Sequence, residues 1–172
     1  IDLDAQTVTT VVGTPATLGF FGDGGAATDA LLYAPTTMTL AANGDLFVAD
    51  SGNHRVRRVA AGTGVITTVL GDGVAASSGE GVPAWAFPVN DPRGLATDAL
   101  GNLFVTSSTA VRLVPADADG TVDGSGAVRT IYGAAPRDTF PAYATACLTG
   151  IVVVDAETVQ TTDACSGLLV EL

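Results

Sequence analysis

Apolar and β-branched residues come in short runs separated by glycine, proline and Asx-rich turns. Thr7–Val12 is β-branched at every position, and Thr37–Leu40 and Asp45–Asp50 flank the turn Ala42-Asn43-Gly44. Two short strands around Asn-Gly are the strongest short-range hairpin signal. Arg55–Val59 and Val65–Leu70 continue the pattern. No stretch of helical length keeps apolar residues at i, i+3, i+4 and i+7 without an interrupting Gly or Pro. The pattern predicts an all-β protein of short strands and many turns.

The pattern also repeats. PTTMTLAANGDLFVADSGNHRVRRV from Pro35 returns as PRGLATDALGNLFVTSSTAVRLV from Pro92, an offset of 57 (92 − 35). A weaker copy, LTGIVVVDAETVQTTDACSGLLVEL, starts at Leu148, 56 residues further on (148 − 92). VTTVVG at 8–13 matches ITTVLG at 66–71 and, loosely, VRTIYG at 128–133, and the glycine-rich 22–35 matches 79–92. Each unit reads as strand, tight turn, strand, loop, strand, loop, strand, then a long glycine-rich connection. A four-stranded unit at this kind of period is the signature of a β-propeller blade.

The first copy, from Pro35 through Asn43-Gly44-Asp45-Leu46-Phe47-Val48-Ala49-Asp50-Ser51-Gly52-Asn53-His54-Arg55-Val56-Arg57-Arg58, resembles the NHL-repeat propeller family of bacterial, extracytoplasmic type. Gly22-Asp23-Gly24-Gly25-Ala26-Ala27-Thr28 is similar to an inter-blade loop of that family. The second copy keeps Gly101-Asn102-Leu103-Phe104-Val105 but reads Ser107-Ser108-Thr109-Ala110 where the first has the Asp-x-Gly-Asn-His segment, and the third keeps the apolar alternation and Asp163. The resemblance implies blades of four antiparallel strands. Residues 1–13 would be the last strand of one blade, 35–71 blade 1, 92–133 blade 2, and 148–172 the first three strands of blade 3. Three blades do not close a ring of roughly four to eight. Either two copies pair head to tail, each N-terminal strand completing the other's last blade, or this is half of a longer six-bladed chain. The start at Ile1 reads as a processed product or a piece of something longer.

Composition narrows the partners. The 172 residues carry 18 acids against 7 arginines, no lysine, and a net charge of −11. Such a surface does not hold a phosphate backbone, which Lys and Arg must neutralise, so no nucleic acid is expected. The chain is too apolar, at 47%, to be disordered, and no run approaches the ~20 apolar residues of a membrane span.

In a propeller the inter-blade and second-to-third-strand loops share a face, and ligand contacts concentrate on such long loops. That face is expected to carry the binding candidates Asp23, Asp50, His54, Asp72, Trp85, Arg93 and Arg137. Arg93 and Arg137 are the main positive charges expected there, and the others also have a plainer reading. Asp50, Asn53, His54 and Arg55 suit a structural turn held by the carboxylate. His54 is the sole histidine, so zinc would lack ligands. Asp23, Asp29 and Asp72 are Ca²⁺ candidates by ligand type, although Asp-Gly also suits a turn. The Gly-rich loops are not phosphate loops, because no lysine follows. Trp85 would either anchor a partner, with Phe20, Phe21 and Phe140, or pack over the adjacent blade. Cys147 and Cys165 map to one face of blade 3, so they are expected to form a disulfide worth ~3 kcal/mol, or else to be buried thiols. With the acidic composition, the pair points to an extracytoplasmic protein.

No nucleophile elbow appears, and neither cysteine has a neighbouring histidine. The expected function is a non-catalytic binding or assembly module using its loop-rich face for a protein or ligand, with no cofactor beyond possible Ca²⁺. The alternatives are a metal-dependent lyase or hydrolase with a site in the central channel, and a structural subunit of a filament or coat.

Overall fold

The structure is a computed structural model that describes residues 8–76, 81–108, 110–133, 148–155, 158–163 and 168–171. Three antiparallel sheets follow one another along the chain. The first has β1 (Met38–Leu40), β2 (Leu46–Asp50), β3 (Arg55–Val59) and β4 (Ile66–Leu70) in sequence order. The second repeats the arrangement with β5 (Leu95–Thr97), β6 (Leu103–Ser107), β7 (Ala110–Val114) and β8 (Arg129–Gly133). The third has β9 (Leu148–Val153), β10 (Val159–Asp163) and β11 (Leu168–Glu171). Among the described residues no helix is long and apolar enough to cross a membrane, which says nothing of a β-barrel.

The registers carry the repeat. Met38 faces Val48 across β1–β2, and Leu95 faces Val105 across β5–β6, both displaced by 57 (95 − 38, 105 − 48). Each third-to-fourth-strand ladder also slips at one place, between Val56 and Arg57 and between Val111 and Arg112. The Asn-Gly turn forms as expected: Gly44 has φ +88°, and the Asn43 side-chain oxygen accepts the Asp45 N–H.

Strand alternation decides what each sheet shows its neighbours. Phe47, Ala49 and Val56 of the first sheet pack with Phe87, Val89, Leu95, Leu103 and Val105 in the main core. Val111 and Leu148, flanked by Tyr132 and Ile151, join the second sheet to the third. β5 lies against β1 and β2 on one side and against β9 on the other, so β1, β5 and β9 are the inner strands.

One expected element differs. Residues 8–12 form no strand, although their sequence repeats in β4. Val8 and Val11 are exposed, and the backbone near Gly13 and Thr14 bonds instead to the carbonyls of Ala27 and Ala30. A β-branched run becomes a strand only where a sheet edge is offered to it.

Asp45, buried beneath the first hairpin, accepts from Arg58 Nε at 2.7 Å, the Ala61 N–H at 2.9 Å and the Asn43 amide at 3.0 Å. Burial pushes its carboxyl up, but these partners together hold it below the usual carboxylate range. A lowered acid contributes stability above its unfolded-state pKa and loses it as pH falls through the folded value. Asp45→Asn is therefore expected to cost about 1–3 kcal/mol near neutral pH, with the gap from wild type narrowing as pH falls below the ordinary carboxylate range. Urea unfolding in both pH ranges checks this, and an equal gap in each would contradict it.

Candidate functional site

The sequence candidates separate into a buried hub and an open groove. The hub centres on Arg57, which strand alternation places on the Val48 side of the first sheet, opposite Val56, with its side chain fully buried. Its guanidinium donates to Asp23 Oδ1 at 2.7 and 3.1 Å and to Asp50 Oδ2 at 3.4 Å. Asp50, also fully buried at its side chain, accepts the Tyr33 N–H at 2.7 Å and the Asn53 amide at 2.8 and 2.9 Å. Burial raises the Asp50 carboxyl above its ordinary value despite these donors and Arg57. Asn53 also donates to the Gly19 carbonyl at 2.7 Å, so the turn after β2 is tied to the preceding connection. His54 has a left-handed backbone, φ 53°, and its Nδ1 accepts the Asp91 N–H at 3.2 Å. These contacts suit the turn chemistry expected of Asp50 and His54.

The groove, of about 460 Å³, lies along the outer strand β4. Phe20, Asp23, Arg55, Thr67, Thr68, Gly71, Asp72 and Trp85 line it. It therefore joins three of the sequence candidates, Asp23, Asp72 and Trp85. Phe20 and Trp85 come from successive connections between sheets and are 43% and 54% exposed. Arg55 stacks on the Phe20 ring at 3.8 Å and donates to the carbonyls of Asn53 and Asp72. Gly71 explains how β4 ends so close to Arg55. Its φ is +101°, and a Cβ there would sit 2.3 Å from the His54 carbonyl oxygen. Asp23 Oδ2 accepts from Thr68 at 2.7 Å, and Asp72 Oδ1 accepts the Val74 N–H at 2.8 Å.

The connections do not stay on one face, as had been expected. Their middle parts run down beside the fourth strands: Gly24 donates to the Ile66 carbonyl, and Trp85 donates its backbone N–H to the Gly124 carbonyl. This course places Asp23 and Trp85 at the rim rather than above the inner strands.

The remaining candidates lie elsewhere. Arg93 is half exposed and pairs with Asp91 at 2.6 Å. Asp29 is exposed in the 3-10 turn Ala27–Asp29. Among the described residues no three His, Cys, Asp or Glu side chains group closely enough to share a metal. Arg137, Phe140 and the pair Cys147 and Cys165 lie outside the described residues.

Sequence reasoning did not single out the buried arginines. Arg112 of β7 occupies the position of Arg57, buried and 4.9 Å from the Phe87 ring. The signal was present as an arginine in the third strand of each of the first two copies with an aromatic residue in the connection before it.

The NHL repeat family model matches residues 32–59, the span from the connection through β1, β2 and β3. The chain carries an NHL repeat. No curated protein matches the chain by sequence. A structural genomics protein of unknown function from Bacteroides thetaiotaomicron aligns over 74% of this chain with a TM-score of 0.53 and 14% identity. Virginiamycin B lyase from Staphylococcus aureus aligns over 81% with a TM-score of 0.46 and 16% identity. The extracellular domain of a protein assigned to a hybrid two-component system from B. thetaiotaomicron aligns over 80% with a TM-score of 0.48 and 12% identity. This chain covers 32%, 41% and 16% of these three chains, so it spans less than half the length of the structures it matches. The fold is that of β-propeller blades, a four-strand meander repeated with its inner strands adjacent.

Proposed function

We propose that this chain is a non-catalytic binding and assembly module. It joins further blades through its open sheet faces and offers its loop-bearing rim to a partner. One observation carries the assembly half. Positions that the repeat buries in the second sheet are more open in the first: Leu95 and Leu103 are 7% and 0% exposed, whereas their counterparts Met38 and Leu46 are 67% exposed and half-buried. Met38, Leu46, Val48 and Val11 line an apolar groove of about 480 Å³ on that face. In the second sheet the equivalent surface is covered by the first, so another blade is the occupant whose shape fits.

The third sheet offers the opposite surface, with Val152 and Leu169 at 52% and 63% exposure. The most economical source of the missing blade is a second copy, whose third sheet covers the first sheet of its partner. The run Val8–Val12, which repeats the β4 sequence, would add to the free edge of the partner's β11. The acidic, lysine-free composition supports an extracytoplasmic setting.

Light scattering over a concentration range tests this. The expected mass is twice 17.1 kDa, and the double substitution Met38→Asp with Leu40→Asp is expected to return it to a single chain. A wild-type chain that stays at single mass, or one whose mass climbs without limit as in a filament, would reject the closed pair.

A further inference from the structure

Aromatic rings in the connections between sheets hold guanidinium groups from the third strands. Phe20 carries Arg55 at 3.8 Å and Arg57 at 4.8 Å, and Phe87 carries Arg112 at 4.9 Å. Trp85 lies two residues before Phe87 in the same connection and is half exposed, and among the described residues no cation stacks on it. It faces the groove that Asp23 and Asp72 also line. Asp72 is exposed, with one carboxylate oxygen bonded to the Val74 N–H, and the Asp23 side chain is 36% exposed.

We infer that this groove binds an arginine or lysine side chain of a partner protein, stacked on Trp85 and paired with the carboxylates of Asp72 and Asp23. Indole is the best of the aromatic faces for a cation. Arg55 does not take this place, because its donors are turned to the carbonyls of Asn53 and Asp72 and its plane lies on Phe20. An anionic partner would meet two carboxylates for one guanidinium on the lining. The −11 charge of the chain draws cations toward the surface before contact.

This inference rests on the rim being a binding surface and names its partner chemistry. Trp85 is the only tryptophan, so its emission reports on the groove. The experiment titrates the full chain with octa-arginine, octa-glutamate and a neutral oligosaccharide at low salt. Octa-arginine is expected to give a saturable emission change that weakens as salt is raised. Asp72→Asn is expected to weaken it about threefold, while Asp119→Asn, in the exposed turn between β7 and β8, leaves it unchanged. Equal loss in both variants would mean attraction by net charge alone and would overturn the site. A response to the acidic or neutral probe instead of octa-arginine would overturn the cation assignment and keep the binding surface. Silence with all three probes would overturn both, whatever the mass of the chain in solution.

Discussion

Replacing Asp50 with alanine is expected to cost about 3–5 kcal/mol, the range for removing one partner of a buried ion pair. Arg57 and Asp50 are both fully buried at their side chains. The substitution leaves Arg57 with one carboxylate, Asp23, which is partly open to solvent, beside the Phe21 carbonyl and the Phe20 ring. It also removes the acceptor for the Tyr33 N–H and the Asn53 amide, and each unsatisfied buried donor adds to the cost.

Asp50→Asn keeps the volume and one acceptor oxygen and is expected to be milder. It should also change the pH dependence. The folded-state pKa of Asp50 is raised, so the folded chain binds this proton more readily than the unfolded chain does. The carboxyl's contribution to stability therefore falls as pH rises from the ordinary carboxylate range through the raised value. The asparagine variant loses that slope, opposite in sign to the one expected at Asp45. Urea unfolding followed by circular dichroism measures both effects. A cost below about 1 kcal/mol for the alanine variant would show that the hub is not a stability element.

The second large effect is at Phe47. Phe47→Ala is expected to cost about 3–5 kcal/mol through lost burial and the cavity left behind. The ring is 1% exposed and lies in the core that holds the first sheet to the second. In repeat architectures stability is close to a sum over neighbouring units, so the damage should be local. Hydrogen exchange is expected to rise in β1–β4 while the contact of Val111 with Leu148 stays protected. A uniform rise along the chain would mean that the three sheets unfold as one unit instead.

The blades were legible because each is a local object. The hairpin around Asn43-Gly44 and the 57-residue displacement of Leu95 and Val105 from Met38 and Val48 follow from alternation and turn chemistry alone. The strand expected over 8–12 depended on a partner edge, which alternation does not supply. The groove was half legible. Asp23, Asp72 and Trp85 stood out by type, but their meeting depends on the connections descending beside β4 and β8, set by backbone bonds such as Gly24 to Ile66. Arg57 reads as an ordinary strand residue, because nothing in the sequence announces that Phe20 and Asp23, more than thirty residues earlier, close over its side chain.

The sheets also give the molecule a direction. The side holding Leu46 and Val48 always looks back along the chain, and the side holding Phe47 and Ala49 always looks forward, as Leu103 and Phe104 do one repeat later. Two like surfaces therefore never meet, and any contact that continues the series is heterologous. For such a contact, strength alone does not limit growth. The rotation from one sheet to the next must divide a full circle for the series to end where it began, and a small change in that angle would turn a closed body into a helix.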